Sequence, residues 1–97
     1  MSLQDITAKI TSTLEDEGVI KASIFGSYAT GNEREDSDID ILVEFDGRRS
    51  IFDLVGLKLN LEKQLDKKVD IMTFKSIHPL LKDIILQEQK TVYEKRS

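Results

Sequence analysis

An alternating run of acidic and apolar residues, Asp38-Ile39-Asp40-Ile41-Leu42-Val43, most constrains the fold of this chain. Successive side chains of an extended strand point to opposite faces, so Asp38 and Asp40 share one face and the isoleucines share the other. Two carboxylates this close repel each other by about 4 kcal/mol at an effective dielectric constant of about 20. A positive group between them offsets that repulsion, and a divalent cation is the best candidate.

A Gly26-Ser27 pair precedes this run and ends an apolar segment over residues 19–25 that is typical of a strand. Glycine lets a backbone approach a phosphate closely, and Ser27 adds a hydroxyl group. Residues 28–30 could begin a helical turn whose free N–H groups face an anion. The pair therefore predicts a phosphate contact, although an ordinary strand-ending turn can have the same sequence.

A third acidic residue, Asp70, lies between Val69 and Ile71 in a second alternating run. Its apolar neighbours predict that Asp70 points away from the core, as Asp38 and Asp40 do. If the two strands are adjacent, three carboxylates converge on one patch. The alternative is that all three are solvated acids on strand faces.

Composition narrows the class of protein. Ninety-seven residues predict one domain with one modest core, and the absence of cysteine suits a reducing cytoplasm. The net charge of −4 argues against direct nucleic-acid binding, which depends on basic surface. A membrane span needs about 20 apolar residues, and the sequence has no such run, so we expect no membrane association.

The string GSYATG followed by DSDIDILVEF resembles the signature of the polymerase-β-like nucleotidyltransferases, and most closely that of small MntA-type antitoxins that partner HEPN-domain toxins. The resemblance continues through residues 50–54, 68–71 and 92–94, so it covers nearly the whole chain. It implies one nucleotidyltransferase domain over residues 1–97. The implied fold is α+β, a mixed sheet of three or four strands with helices packed on it.

The resemblance also implies a metal site. Asp38 and Asp40 would hold two Mg²⁺ ions, with Mn²⁺ as a substitute, and Asp70 would complete the second metal site. Asp70 would also help to deprotonate the attacking hydroxyl group. Three carboxylates and a polyphosphate repel one another without such cations, which is the physical reason for the arrangement.

For the nucleotide, the resemblance implies that Gly26 and Ser27 grip the β- and γ-phosphates of ATP. Tyr28 lies beside this turn and is predicted either to contact the nucleotide or only to pack on the loop. Thr30 stands where many relatives carry arginine, which puts one phosphate or partner contact in doubt.

The implied reaction is transfer of AMP from ATP to a tyrosine of a helical HEPN toxin, which makes this chain the antitoxin of a pair. Two alternatives remain open. A non-catalytic antitoxin would neutralise its partner by binding alone. A nucleotidyltransferase subunit would instead modify a small hydroxylated metabolite.

The remaining pattern predicts three amphipathic helices. The first begins at Ser2 and ends near Gly18, and the second begins at Ser50 and runs to about Leu65. The third is predicted to begin at Ser76 and to bury four apolar residues, Leu80, Leu81, Ile84 and Ile85. Strands are expected over residues 19–25, 38–45, 68–74 and 91–93.

Two basic or polar sites outside this pattern have open interpretations. Arg48-Arg49 fits a solvated turn, or a contact with a nucleotide or an acidic partner. His78, which precedes Pro79, fits a surface or helix-capping role.

Overall fold

The computed structural model describes residues 1–95, which form a four-stranded sheet with helices. The elements are α1 (Leu3–Asp16), β1 (Val19–Phe25), α2 (Ser27–Thr30), β2 (Ile39–Phe45), α3 (Ile51–Leu65), β3 (Val69–Thr73), α4 (Pro79–Glu88) and β4 (Lys90–Glu94). A 3₁₀ turn over Phe74–Ser76 follows β3. The predicted strands are confirmed to within one residue at each end.

The helices α1 and α3 begin with the same serine-aspartate capping box. The hydroxyl of Ser2 accepts a hydrogen bond from the N–H of Asp5 at 3.1 Å, and the hydroxyl of Ser50 accepts one from Asp53 at 3.3 Å. Each aspartate carboxylate accepts a hydrogen bond in return from the N–H of its serine, at 3.1 and 2.9 Å. Four-residue spacing then buries one face of each helix: Ile6, Ile10 and Leu14 in α1, and Leu57, Leu61 and Leu65 in α3.

The sheet has the strand order β3-β2-β1-β4. β1 is antiparallel to both β2 and β4, while β2 and β3 are parallel, so the predicted mixed sheet is confirmed. The alternating residues Ile39, Ile41 and Val43 of β2 belong to the core that α1 and α3 cover. The other β2 face carries Asp40, Leu42 and Glu44.

The connection from β3 to β4, which contains α4, passes over this second face. The β2–α3–β3 crossover leads to one edge of the sheet, and the β3–α4–β4 crossover returns to the other edge. Because parallel crossovers are right-handed, two crossovers in opposite directions place their helices on opposite faces. Leu42 and Ser23, which alternate with core residues on β2 and β1, are fully buried.

The prediction for α4 was wrong in two respects. Its N-cap is His78, whose Nδ1 accepts a hydrogen bond from the N–H of Leu80 at 3.1 Å, whereas Ser76 ends the preceding 3₁₀ turn. The capping alternative for His78 is thereby confirmed. All ten α4 residues are exposed or half-buried. Three of the four apolar side chains that were predicted to point inward lie on the outer surface: Leu80 is 83%, Leu81 52% and Ile84 56% exposed.

Candidate active site

The strand directions bring three separate chain segments to one edge of the sheet. Because β1 is antiparallel to β2, its carboxyl end lies beside the amino end of β2, and Phe25 pairs with Asp40. Because β3 is parallel to β2, its amino end lies there too, and Asp70 pairs with Asp40. The Gly26-Ser27 turn and the two carboxylates are therefore neighbours.

Asp40 and Asp70 form the centre of this site. Both alternate with core residues and point to the second face, as the sequence predicted. Asp40 is half-buried, whereas Asp38 and Asp70 are exposed. Burial raises the pKa of Asp40 to about 6, and the negative charge of Asp70, a hydrogen bond with Asp70 and the charge of Asp38 act in the same direction. The site therefore places the negative charges of Asp70 and Asp38 near a partly desolvated carboxyl group, whose ionised form they disfavour.

This donor set suits a hard divalent cation. Mg²⁺ and Mn²⁺ prefer carboxylate oxygens, and a cation beside Asp40 would relieve the crowding that raises its pKa. Across residues 1–95, however, no three acidic or histidine side chains stand together as a ready-made metal site. The structure thus assembles the Asp40–Asp70 pair, with Asp38 close enough to act on Asp40 by its charge, and the three-carboxylate site stays a prediction.

Gly26 is required at the turn by two independent features. Its dihedral angles, φ 72° and ψ −148°, lie in a region that is essentially restricted to glycine. A Cβ atom at this position would also collide with Oδ2 of Asp40. The Gly26 carbonyl accepts hydrogen bonds from the N–H groups of Ala29 at 3.1 Å and Thr30 at 3.2 Å, which forms the helical turn α2. The predicted turn is confirmed.

Replacing Gly26 with alanine is expected to lower the free energy of unfolding by about 2 kcal/mol, because alanine must adopt a strained backbone conformation while Asp40 moves aside. Gly31→Ala is the matched control. Gly31 also has a positive φ, of 78°, but nothing lies within 4 Å of the point that a Cβ atom would occupy, so we expect a loss of about 1 kcal/mol. Urea denaturation of both variants measures the difference, and an equal loss would contradict the role of Asp40 in this contact.

The residues around the turn have structural roles. Tyr28 is only 5% exposed and belongs to the hydrophobic core, so the prediction that it contacts the nucleotide is not supported and the packing alternative is favoured. The side chain was ambiguous in sequence because an aromatic ring beside a turn fits either role. The hydroxyl of Thr30 donates to the Gly26 carbonyl at 3.3 Å and accepts from Asn32 at 3.1 Å, which ties the end of α2 to the following loop.

Sequence reasoning missed a contact that holds the acidic loop. The Lys67 ammonium donates a hydrogen bond to the backbone carbonyl of Glu35 at 2.6 Å, and the Ile39 N–H donates to the Lys68 carbonyl at 3.0 Å. These two bonds join the segment before β3 to the loop that carries Asp38. The only signal in the sequence was the lysine pair at positions 67 and 68, just before β3. This pair does not indicate which group accepts the hydrogen bond.

Comparison with known proteins supports the family that the site suggests. The chain matches the family model described as polymerase beta nucleotidyltransferase over residues 8–97. A protein of Methanocaldococcus jannaschii assigned as a protein adenylyltransferase is 56% identical over 88 residues, which span 91% of this chain and 95% of the relative. The protein adenylyltransferase MntA of Thermococcus cleftensis is 35% identical over 83 residues, spanning 86% and 84%.

A solved structure gives the same result at the level of the fold. The crystal structure of a toxin-antitoxin with AMP-PNP superposes with a TM-score of 0.80 and 26% identity, over 93% of this chain and 74% of that chain. Sequence, fold and the arrangement at the sheet edge agree. The chain therefore belongs to the polymerase beta nucleotidyltransferase family and has the minimal α+β form of its fold.

Proposed function

We propose that this protein transfers AMP from ATP to a hydroxyl group of a partner protein, a tyrosine of a helical HEPN toxin, and so acts as the antitoxin of the pair. The observation that carries the proposal is the register that sets Asp40 beside Asp70 and beside the end of β1, where the Gly26-Ser27 turn begins. The relatives named as adenylyltransferases, one of them MntA, support the protein acceptor. The toxin-antitoxin structure with AMP-PNP supports an adenine nucleotide.

In this proposal Asp38 and Asp40 would hold two Mg²⁺ or Mn²⁺ ions, and Asp70 would complete the second site. Such cations would neutralise the charge of the triphosphate and of the carboxylates. The half-buried Asp40 fits this role because its pKa is raised by burial and by its acidic neighbours, a cost that a cation removes. We also retain the cytoplasm as the compartment, as the cysteine-free composition predicts.

The proposed chemistry is a transfer of the nucleotidyl group. The acceptor oxygen attacks the α-phosphorus of ATP, a new O–P bond forms, and the bond to the β-phosphate oxygen breaks to release pyrophosphate. Asp70, which is exposed at the strand end, accepts the proton of the acceptor hydroxyl. Ser27 and the backbone of the turn hold the leaving phosphates. The protein thus acts by positioning and by electrostatic stabilisation, and no side chain becomes covalently modified.

Ser27→Ala should weaken ATP binding about tenfold, because one charge-assisted hydrogen bond to a phosphate is lost. Metal binding to the carboxylates should be retained, since Ser27 contributes no carboxylate. Ser12→Ala, at an exposed position of α1, is the control for loss of a hydroxyl group. Calorimetric titration with ATP and Mg²⁺ measures the effect; unchanged affinity would mean that the Gly-Ser turn is only structural.

The proposed function is tested by intact-mass measurement of the product of the neighbouring gene, after incubation with this protein, ATP and Mg²⁺. We expect additions of about 329 Da per AMP group, located on tyrosine by peptide mapping. Neutralisation of the partner without any mass change would favour the non-catalytic antitoxin. Modification of an added hydroxylated metabolite, with the partner protein left unmodified, would favour the metabolite-modifying subunit.

A further inference from the structure

The protein has a groove that lies away from the carboxylates Asp40 and Asp70. It encloses about 830 Å³ at the carboxyl ends of β2 and β3, and we call it the basic groove. Its walls include Ile51, Leu54 and Phe74, and its rim carries Arg48, Arg49 and Lys75. Asp40 and Asp70 lie at the opposite, amino ends of the same strands. Glu44 at the groove lies four positions after Asp40 along β2, a distance of about 13 Å.

The charge of the basic groove is opposite to that of the chain. Three cationic side chains and one carboxylate, Glu44, line it, although the protein as a whole has a net charge of −4. A local excess of positive charge on an acidic protein creates a potential that attracts anionic groups. The groove is therefore complementary to an acidic ligand.

Exposed apolar side chains extend the groove along α3. Ile51 is 66% and Phe52 82% exposed at the start of the helix, and Val55 and Leu59 follow at 45% and 52%. Phe52, Val55 and Leu59 are spaced by three and four residues, so they form one stripe about 10 Å long on the outer face of the helix. A small molecule that fills the groove would leave this stripe uncovered. A helix lying along α3 would cover both.

We propose that the basic groove and the adjoining α3 stripe dock an acidic, amphipathic helix of the acceptor protein. This inference rests on the proposed function, which requires an acceptor protein, and it adds the surface of this chain that binds that protein. The apolar side chains contact the stripe, and the acidic side chains face Arg48 and Lys75. Exposed aromatic and arginine residues are typical of the residues that contribute most to protein interfaces.

Docking at this distance separates binding from chemistry. The acceptor is held about 13 Å or more from Asp40, so the groove contributes affinity without contacting the reacting atoms. Substitutions in the groove should therefore weaken the complex with the partner and raise the KM for the partner. The affinity for ATP and the rate at saturating partner should remain unchanged.

A second exposed apolar surface provides a matched control. On α4, Leu80 is 83% exposed, nearly the same as Phe52, and Lys82 two residues later is also exposed. The double variant R48E/F52A is compared with K82E/L80A. Each variant changes the net charge by the same amount and removes one exposed large apolar side chain, so a general effect of charge or surface hydrophobicity would be equal in both.

The experiment measures the dissociation constant of each variant for the acceptor protein identified by the intact-mass measurement, without ATP, at two salt concentrations. We expect the groove variant to bind at least about 30-fold more weakly and with a smaller salt dependence, and the α4 variant to differ from wild type less than threefold. Circular dichroism melts confirm that both fold. Because no ATP is present, this result stands apart from whether AMP is transferred.

Three outcomes would overturn the proposal. Equal loss in both variants, or a larger loss in the α4 variant, would place docking elsewhere. If wild type is a dimer and only the R48E/F52A variant is a monomer, the groove binds a second copy of this chain. Binding of a single-stranded RNA oligonucleotide that R48E/F52A abolishes, with partner affinity unchanged, would make the groove a nucleic-acid site.

Discussion

Replacing both Asp38 and Asp40 with asparagine is expected to lower AMP transfer by at least about a thousandfold, while the protein still binds its partner. Asparagine keeps the size and hydrogen-bonding capacity of aspartate but removes the charge that holds a divalent cation. Asp38 is exposed and Asp40 is half-buried on the second sheet face, so the core that α1 and α3 cover is untouched. Intact-mass measurement of the partner, with its dissociation constant, separates the two properties.

The matched control is Asp36→Asn/Asp46→Asn, which removes two charges from exposed loop positions. It should transfer AMP at the wild-type rate. In cells, the Asp38→Asn/Asp40→Asn variant should fail to silence the toxin at matched expression. Full protection by that variant would refute the catalytic function and would leave occlusion by binding as the mechanism.

Asp40→Asn alone is expected to stabilise the cation-free protein near pH 8 by about 1 kcal/mol, since solvent around the half-buried carboxyl group screens most of the effect. Burial, Asp70 and Asp38 raise the pKa of Asp40 from 3.8 to about 6, so the folded state binds this proton more tightly than the unfolded state. The corresponding stability is fully present below about pH 3.8 and is lost as the pH rises through about 6. Asparagine carries no charge at any pH, so the free energy of unfolding of this variant is not lowered by ionisation at position 40.

Urea denaturation between pH 4 and 8 in the presence of a chelator measures this effect. The unfolding free energy of wild type should fall relative to that of Asp40→Asn between about pH 4 and 6, and Asp36→Asn should follow wild type. Addition of Mg²⁺ at pH 8 should stabilise wild type more than Asp40→Asn. Parallel curves for wild type and Asp40→Asn across this range would show that the carboxyl group is not crowded.

Local sequence patterns predicted the secondary structure well where the signal lies within a few residues. The capping boxes of α1 and α3 and the four-residue spacing behind them depend only on neighbouring residues, and both helices were predicted within about two residues. The strand bounds were predicted equally well because alternation is a local property. The same rule failed for α4, since an apolar stripe shows that a face is hydrophobic but not that another element covers it.

The candidate site residues also divide into those that a local pattern predicted and those that it did not. Alternation alone predicted that Asp40 and Asp70 point away from the core, and the Gly26-Ser27 pair predicted the turn, whereas Asp38 precedes β2 and its place on the same face stays a prediction. Whether Tyr28 faces a ligand or the core could not be read from its position, because both require an aromatic ring beside a loop. Its burial depends on how the short helix α2 packs against β1 and β2 at the margin of the core, which no local pattern determines.

The sequence by itself determined the elements, their apolar faces and the family, because each depends on spacing along the chain. Only the tertiary structure decided that Asp70 pairs with Asp40, that Lys67 holds the acidic loop, and that Arg48 and Lys75 line one groove. Strand register and crossover handedness bring together residues some thirty positions apart in the chain. Such contacts arise from the packing of distant elements, and no local pattern records them.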